Sequence, residues 1–335
     1  MTELTLERVR DAALAIRGVA DGTPLVPSPF LSELTGAEVL LKLELAQASG
    51  AFKLRGATSA ISNLPDGIAG VTCYSTGNHG RAVAYAAKMR GLRAVICMSS
   101  LVPKAKVDGI KALGAEVRIS GTSQDDAEAE YDRLIAEEGL IGINPFDALD
   151  VIAGQGTIGL ELLEARPDLE AILIPLSGGG LAGGIAFAAK KLKPGIRTVG
   201  ITMERGPAMH DSIRAGRPVE VEEFPSLADS LGGGIGLQNR HSFTLCRDHL
   251  DETHLVTEAE IYRAMQALYY EDRLVCEGGA AVPVAALMTG KVTLDGPAAL
   301  IVTGRNVDMA MHADIMAGRD VRLGETVIEG RTYGA

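Results

Sequence analysis

The sequence predicts an α/β protein built from two open, twisted, mainly parallel sheets flanked by helices. Three observations predict it. Short apolar runs alternate with stretches of helical length, a spacing that implies strand–helix–strand units with parallel strands. The alternation resumes in a second block from about residue 150, which makes two domains with a cleft between them. At 335 residues, the chain is long for one compact core, and its 40 glycines and 4% aromatics suit many tight strand–helix turns.

The elements follow in order. Thr5 caps a helix that runs to about Ile16 and is closed by Gly18. TPLVPSP (23–29) is extended, as its prolines require. EVLLKLEL (38–45) is a strand, and the Ser49-Gly50 turn leads to a helix starting near Phe52. VTCYS (71–75) is a buried strand and Asn78–Arg90 the helix after it. RAVICM (93–98) and AEVRIS (115–120) are strands, separated by a helix over 103–114 that Pro103 opens. Ser123 caps a helix over 123–139 whose first-turn acids favour the helix dipole. In the second block, 151–165 is a helix, AILIPLS (171–177) a strand, 181–192 a helix and RTVGIT (197–202) a strand. Residues 206–239 are expected to be irregular, 257–270 helical, and PAALIVTG (297–304) a last central strand.

Composition excludes several partners. The net charge is −11, from 32 basic and 43 acidic residues, and no basic cluster marks a nucleic-acid or anionic-membrane surface. No apolar run reaches the length of a membrane span. The first eighteen residues form an amphipathic, acid-bearing helix rather than a signal peptide. Cys73, Cys97, Cys246 and Cys276 are scattered, which suits buried reduced thiols better than a disulfide framework or a zinc site. The expectation is a cytoplasmic protein with a small-molecule partner.

Four segments carry chemistry. In SGAFKLRGA (49–57), Lys53 opens a helix between apolar Phe52 and Leu54. Burial lowers a lysine's pKa by disfavouring its charged form, and a neutral amine is what Schiff-base chemistry requires. Phe52 could lie against a planar ring. By itself the segment also fits a lysine that snorkels from a helix start. PLSGGGLAGG (175–184) follows a strand and opens a helix, so its backbone N–H groups can cradle a phosphate. Gly178, Gly180 and Gly183 also satisfy G-x-G-x-x-G, which keeps a nicotinamide-dependent oxidoreductase open as a rival. Against it, RTVGIT ends on Thr202, where an acid would hold a ribose. STGNHGRA (75–82) offers hydroxyls, an amide and helix N-terminal N–H groups suited to a carboxylate, although plain capping by Ser75 or Asn78 explains it too. VTGRN (302–306) ends a strand on a hydroxyl that could face a pyridine nitrogen and leave it largely unprotonated.

Together these segments resemble the motifs of the fold-type II pyridoxal-phosphate enzymes, in the threonine/serine dehydratase and serine racemase group, over nearly the whole chain. The resemblance implies a tryptophan-synthase-β-like fold and pyridoxal 5′-phosphate as cofactor. It implies Lys53 as the Schiff-base lysine, Phe52 packing on the ring and Asn78 on the phenolic oxygen. Gly178, Gly179, Gly180 and Leu181 would surround the phosphate, with Thr303 by the pyridine nitrogen. Ser75, Thr76, Gly77 and His79 would take the substrate carboxylate, and Thr76 stands where racemases carry an acid/base. The resemblance further implies a large cofactor-binding domain of residues 1–68 and 148–335, a small mobile domain of residues 69–147, and a homodimer.

STGNHGRA, ICMSSLVPKAKVD (96–108), SQDD (123–126), GQGTIGLE (154–161), ITMERGPAMH (201–210), DSLGGGIG (229–236) and TGRNVDM (303–309) are similar to the hydroxyectoine-utilization dehydratases. This implies a β-hydroxy amino acid substrate, a hydroxylated diaminobutyrate derivative. Two departures from the wider group support a substrate longer or more acidic than threonine. Arg81 replaces a common Gln, Arg305 a common Gly, and two guanidinium groups could grip an added carboxylate or acyl oxygen. Structural ion pairs would explain both arginines equally well. Glu204, His210 and Asp211 do not match the spacing of the group's divalent-metal site, and no metal is assigned. L-threonine/L-serine dehydratase, 3-hydroxyaspartate dehydratase and a non-catalytic cofactor-binding protein stand as alternatives.

Overall fold

A computed structural model describes residues 3–20, 22–75, 77–102 and 104–334. Thr76 and Pro103 lie outside the described residues, and with them the roles expected of both.

The strands are β1 (Leu25–Pro27), β2 (Val39–Leu43), β3 (Val71–Cys73), β4 (Ala94–Met98), β5 (Glu116–Ile119), β6 (Ile141–Gly142), β7 (Ala171–Pro175), β8 (Arg197–Met203), β9 (Glu252–Val256) and β10 (Ala298–Val302). They form a six-stranded sheet in the order β1-β2-β10-β7-β8-β9 and a four-stranded sheet in the order β5-β4-β3-β6. All pairings in these two sheets are parallel except β1 with β2. The α/β fold with parallel-rich sheets is therefore as expected. β4, β7 and β10 are wholly buried and continuously apolar, as parallel strands covered on both faces must be, and β2 departs from this only at buried Lys42.

This strand order positions the site. β2, β10 and β7 are adjacent and parallel, so the chain leaves all three at the same edge of the large sheet. The Ser49–Phe52 turn, Thr303–Asn306 and Ser177–Gly179 therefore converge there. In the small sheet, β3 delivers the Ser75–Asn78 loop. Ligands of open α/β sheets bind at such carboxyl ends.

Helix Lys53–Ser62 crosses helix Leu149–Ala165 at very short range. A Cβ on Gly154 would lie 2.6 Å from the Arg55 carbonyl oxygen, and one on Gly56 would strike Gln155. Two residues past Lys53, buried Arg55 pairs with both oxygens of Glu44 at 2.8 Å and with Glu161, and bonds Thr157 at 3.0 Å. Lys42 completes this neutral group of two cations and two carboxylates. The base of the lysine-bearing helix is thus fixed to the turn that ends β2 and to helix Leu149–Ala165.

Several expectations need correction. Residues 206–239 are not wholly irregular. Helix Ala208–Ala215 lies there, burying Met209, His210 and Ser212 and closing on Gly216 at φ +71°. Strand VTCYS stops at Cys73, and EVLLKLEL ends in a 3-10 turn, Glu44–Ala46, because Glu44 turns inward to meet Arg55. β1 is a paired edge strand, a place that tolerates Pro27. Not anticipated were β6, β9, helices Pro29–Thr35, Ser242–His249, Gly278–Met288 and Met309–Met316, and a C-terminal hairpin of Val321–Leu323 with Thr326–Ile328. β9 is half-buried with polar residues, so no apolar run announced it. All four cysteines are free and buried. No helix among the described residues is long and apolar enough to cross a membrane.

Candidate active site

Lys53 is the first residue of its helix and follows Phe52, whose N–H donates to the Thr303 carbonyl at 3.0 Å. Its amine donates to the Pro145 carbonyl at 2.7 Å and stands 5.4 Å from the Phe52 ring centroid. Burial pushes the Lys53 pKa down to about 8, against the opposing pull of the Glu277 carboxylate. A useful fraction of neutral amine is therefore present near neutrality.

The glycine loop shows a cradle. Gly179 adopts φ +86°, a conformation that favours glycine. The Gly178 carbonyl accepts from Ser242 Oγ at 2.7 Å, and the Gly179 carbonyl from Gly183 N–H at 2.8 Å and Cys246 Sγ at 3.4 Å. Each carbonyl so engaged turns the next residue's N–H the opposite way. The N–H groups of residues 178–182 find no acceptor among the described residues. They stand at the positive end of helix Gly180–Leu192.

Phe146 packs behind this loop. A Cβ on Gly178 would lie 2.4 Å from its ring, and one on Gly180 would lie 2.6 Å from its carbonyl oxygen. The neighbouring Asp147 accepts from the N–H groups of Arg240, His241 and Ser242. The turn Asn144–Asp147 thus joins Lys53, the glycine loop and helix Ser242–His249.

Asn78 starts helix Asn78–Arg90 after β3. Its Nδ2 donates to Glu277 Oε1 at 2.8 Å and Oε2 at 3.0 Å, and its Oδ1 accepts from Asn306 Nδ2 at 2.6 Å. Glu277 is 3% exposed. Burial pushes its pKa up to about 6, restrained by the hydrogen bond from Asn78. The hydroxyl of buried Thr303 makes no hydrogen bond among the described residues.

His79 departs from expectation. Its ring is buried and bonds the Ile143 carbonyl at 2.8 Å, so it faces the core rather than a ligand. Burial and the Lys53 charge lower its pKa to about 3, so the ring is neutral. A carbonyl only accepts, so Nε2 carries the hydrogen. The backbone N–H of His79 stays available alongside that of Asn78, while its buried ring Nδ1 has no partner among the described residues. Half-buried Ser75 stays beside this helix start because Gly80 lets the Ser75 carbonyl approach; a Cβ there would clash with it. Gly77 is the residue before the helix, and its carbonyl accepts from Arg81 N–H.

Neither Arg81 nor Arg305 makes an ion pair among the described residues, which removes the structural ion-pair explanation there. Arg81 Nε reaches the Ser49 carbonyl at 3.4 Å, and the Arg305 N–H donates to the Gly50 carbonyl at 2.9 Å. Both therefore flank the Ser49–Gly50 turn, and the Arg305 side chain is exposed.

The structure brings Lys53, Asn78, Thr303, the glycine loop and both arginines around one set of strand ends. Sequence reasoning missed Glu277, Asn306, Pro145 and Phe146. An acid before two glycines at the start of an otherwise apolar helix, CEGGAAVPVAAL (276–287), was the available signal for Glu277.

These groups fit pyridoxal phosphate. The unsatisfied N–H cluster suits a phosphate, the lowered lysine an aldehyde, and the free Thr303 hydroxyl a ring nitrogen. Comparison with known proteins agrees. Residues 16–304 match the family model described as "Pyridoxal-phosphate dependent enzyme". A Sinorhizobium fredii protein named "Putative threonine dehydratase" is 52% identical over 95% of this chain and 97% of its own length. The L-threonine ammonia-lyase of Thermotoga maritima is 36% identical over 97% of this chain and 81% of its own. The structure of maize serine racemase superposes with a TM-score of 0.88 at 32% identity, covering 95% of this chain and 98% of that one. The chain belongs to the pyridoxal-phosphate-dependent enzyme family. Within it the chain is a lyase of the threonine/serine dehydratase and serine racemase group. That membership removes the nicotinamide reading.

Proposed function

We propose that this lyase eliminates water from a β-hydroxy amino acid larger than threonine, a hydroxylated diaminobutyrate derivative formed in hydroxyectoine breakdown. One observation carries the choice of substrate. Arg81 and Arg305 flank the same turn with no carboxylate partner among the described residues. Threonine needs neither, whereas an acyl or carboxylate group on the substrate's far end would use both. The dehydratase names of the relatives support the reaction type, and L-threonine itself is the competing substrate.

Bound pyridoxal phosphate supplies the electron sink for loss of the α-proton and then of the β-hydroxyl. Lys53 would hold it covalently, residues 178–182 its phosphate, Asn78 its ring oxygen and Thr303 its pyridine nitrogen. The neutral Thr303 hydroxyl, unlike a carboxylate, would not hold a proton on that nitrogen, which would favour prompt loss of the leaving group. The Lys53 amine, when free, would take the α-proton, and its lowered pKa suits it to act as general base near neutral pH. The N–H groups of Asn78 and His79, at their helix N-terminus, receive the substrate carboxylate. Residues 69–147 form a small lobe that presents this helix to the large sheet. The unsaturated product loses ammonia in water and leaves a 2-oxo acid.

A substrate panel with mass spectrometry of the products tests this. We expect turnover of N4-acylated 3-hydroxy-2,4-diaminobutyrate to exceed that of L-threonine and of the free diamine, whose 4-ammonium the two guanidinium groups repel, and Arg305→Gly to erase the preference. Faster turnover of threonine in the parent enzyme, or a preference unchanged in Arg305→Gly, overturns the substrate assignment.

A further inference from the structure

The orientation of the Asn78 amide can be derived from one carbonyl. Ser49 O can only accept, so Asn306 must turn its Nδ2 toward it, 3.1 Å away. The same Nδ2 donates to Asn78, so Asn78 presents Oδ1 to Asn306. Its Nδ2 then faces Glu277, whose two oxygens accept at 2.8 and 3.0 Å. Both oxygens share one side of the amide. An NH2 group carries two hydrogens, so the second stays uncommitted.

Glu277 is itself held in place. It stands before helix Gly278–Met288 in extended conformation, φ −79° and ψ 158°, and its N–H donates to the Gly304 carbonyl at 3.1 Å. The surroundings are cut to fit the carboxylate. A Cβ on Gly304 would lie 2.7 Å from Oε1, and one on Gly279 would strike the hydroxyl of Ser230, which also bonds Glu277. The charged groups that act on this carboxylate and its amine neighbour are Lys53 and Asp229. A buried carboxylate costs desolvation energy, so its retention with neutral donors from Asn78, Ser230 and the Asn306 backbone, and no ion pair among the described residues, points to a task there.

We propose that Glu277 is a positioning residue: with Asn306 it fixes which way the Asn78 amide faces and so aims the remaining N–H at the ring oxygen of the bound cofactor. The proposal rests on the reading of Asn78 as a cofactor contact. It adds that a carboxylate on another element decides whether Asn78 presents a donor or an acceptor there. Without Glu277, nothing on that side distinguishes the amide's two orientations. Without Asn306, the oxygen loses its fixed donor.

The test titrates the visible absorbance of the substrate-free holoenzyme against pH in the parent, Asn78→Ala, Glu277→Leu, Glu277→Gln and Asn306→Ala. Loss of a hydrogen bond to a charged oxygen is expected to shift the midpoint by about one pH unit in Asn78→Ala. Glu277→Leu and Asn306→Ala should shift it in the same direction, while Glu277→Gln, which keeps an acceptor oxygen, stays nearer the parent. In the apoprotein, the Asn78 side-chain N–H protons should exchange with solvent about tenfold faster in Glu277→Leu, as expected for a lost protecting bond. If Asn78→Ala shifts the midpoint and neither Glu277→Leu nor Asn306→Ala does, the positioning role is wrong and the cofactor reading stands. If Asn78→Ala also leaves it unmoved, the reading of Asn78 falls and takes the proposal with it. Should Glu277→Leu not fold, Asn306→Ala decides alone on the same criterion.

Discussion

The Glu277 carboxylate acts on the Lys53 amine against the effect of burial. Burial drives the lysine toward its neutral form, and the glutamate's negative charge pulls it part of the way back. The two residues come from different elements, the helix after β2 and the helix before β10, and meet at the edge where the strands end.

The first prediction concerns Lys53 reactivity. In the apoprotein, the rate at which an amine-selective reagent labels Lys53 should rise with pH around a midpoint near 8. Glu277→Gln removes the charge that holds the ammonium form, so its midpoint should lie lower still. A midpoint near the 10.5 of an ordinary lysine would show that the amine is freely solvated.

A second prediction follows for stability. The folded-state pKa of Glu277 is raised from 4.5 to about 6, so the native state binds the proton more tightly than the unfolded chain. Its contribution is present below pH 4.5 and is lost as pH rises through 6. The difference of about 1.5 units corresponds to about 2 kcal/mol. Apoprotein Glu277→Gln should therefore resist urea better than the parent at pH 8, by up to that amount. The advantage should shrink toward pH 4.5. Equal stability at both pH values would mean that the carboxylate carries no burial cost.

Arg55 gives a third. Arg55→Met leaves Glu44 buried without a cation and removes one of the two partners of Glu161. Breaking a buried pair on one side costs about 3–5 kcal/mol. Chemical denaturation should read a loss of that size. The double replacement Arg55→Met, Glu44→Leu should recover part of it, because Glu161 keeps Lys42 and neither buried charge is then left unpaired.

The glycine loop gives a fourth. In Gly180→Ala the new Cβ meets the Phe146 backbone, which cannot swing aside as a flexible side chain would. Overpacking of this kind costs about 1–3 kcal/mol. Since the same turn holds Pro145 against Lys53, cofactor affinity should fall at least about tenfold, read as the concentration that half-restores visible absorbance. Gly195→Ala, where a Cβ meets nothing within 4 Å, is the control and should bind the cofactor as the parent does.

Much of the fold was legible because parallel strands buried on both faces must be continuously apolar, and β4, β7 and β10 are. The capping residues Thr5 and Ser123 fall where the sequence puts them. β9 and helix Ala208–Ala215 were not legible, because their sides are mixed and their ends rest on tertiary contacts such as His210 with Thr253. At the site, Lys53 and the glycines are marked by local spacing. Glu277 and Asn306 are not, because their importance lies in a network that links residues some 200 positions apart. His79 misled because motif position does not tell which way a ring turns. Its place on helix Asn78–Arg90 directs it inward to Ile143.

The central claim is that Lys53 removes the substrate's α-proton. Ammonia release by cofactor-loaded Lys53→Ala, set against the parent enzyme on the best substrate of the panel, tests it most directly. A positioned general base contributes about 10²–10⁴ in rate, and loss of covalent cofactor attachment adds to that. The account predicts a loss of at least about a thousandfold, partly restored by added methylamine. Turnover within about tenfold of the parent would contradict it and assign the proton transfer to another group.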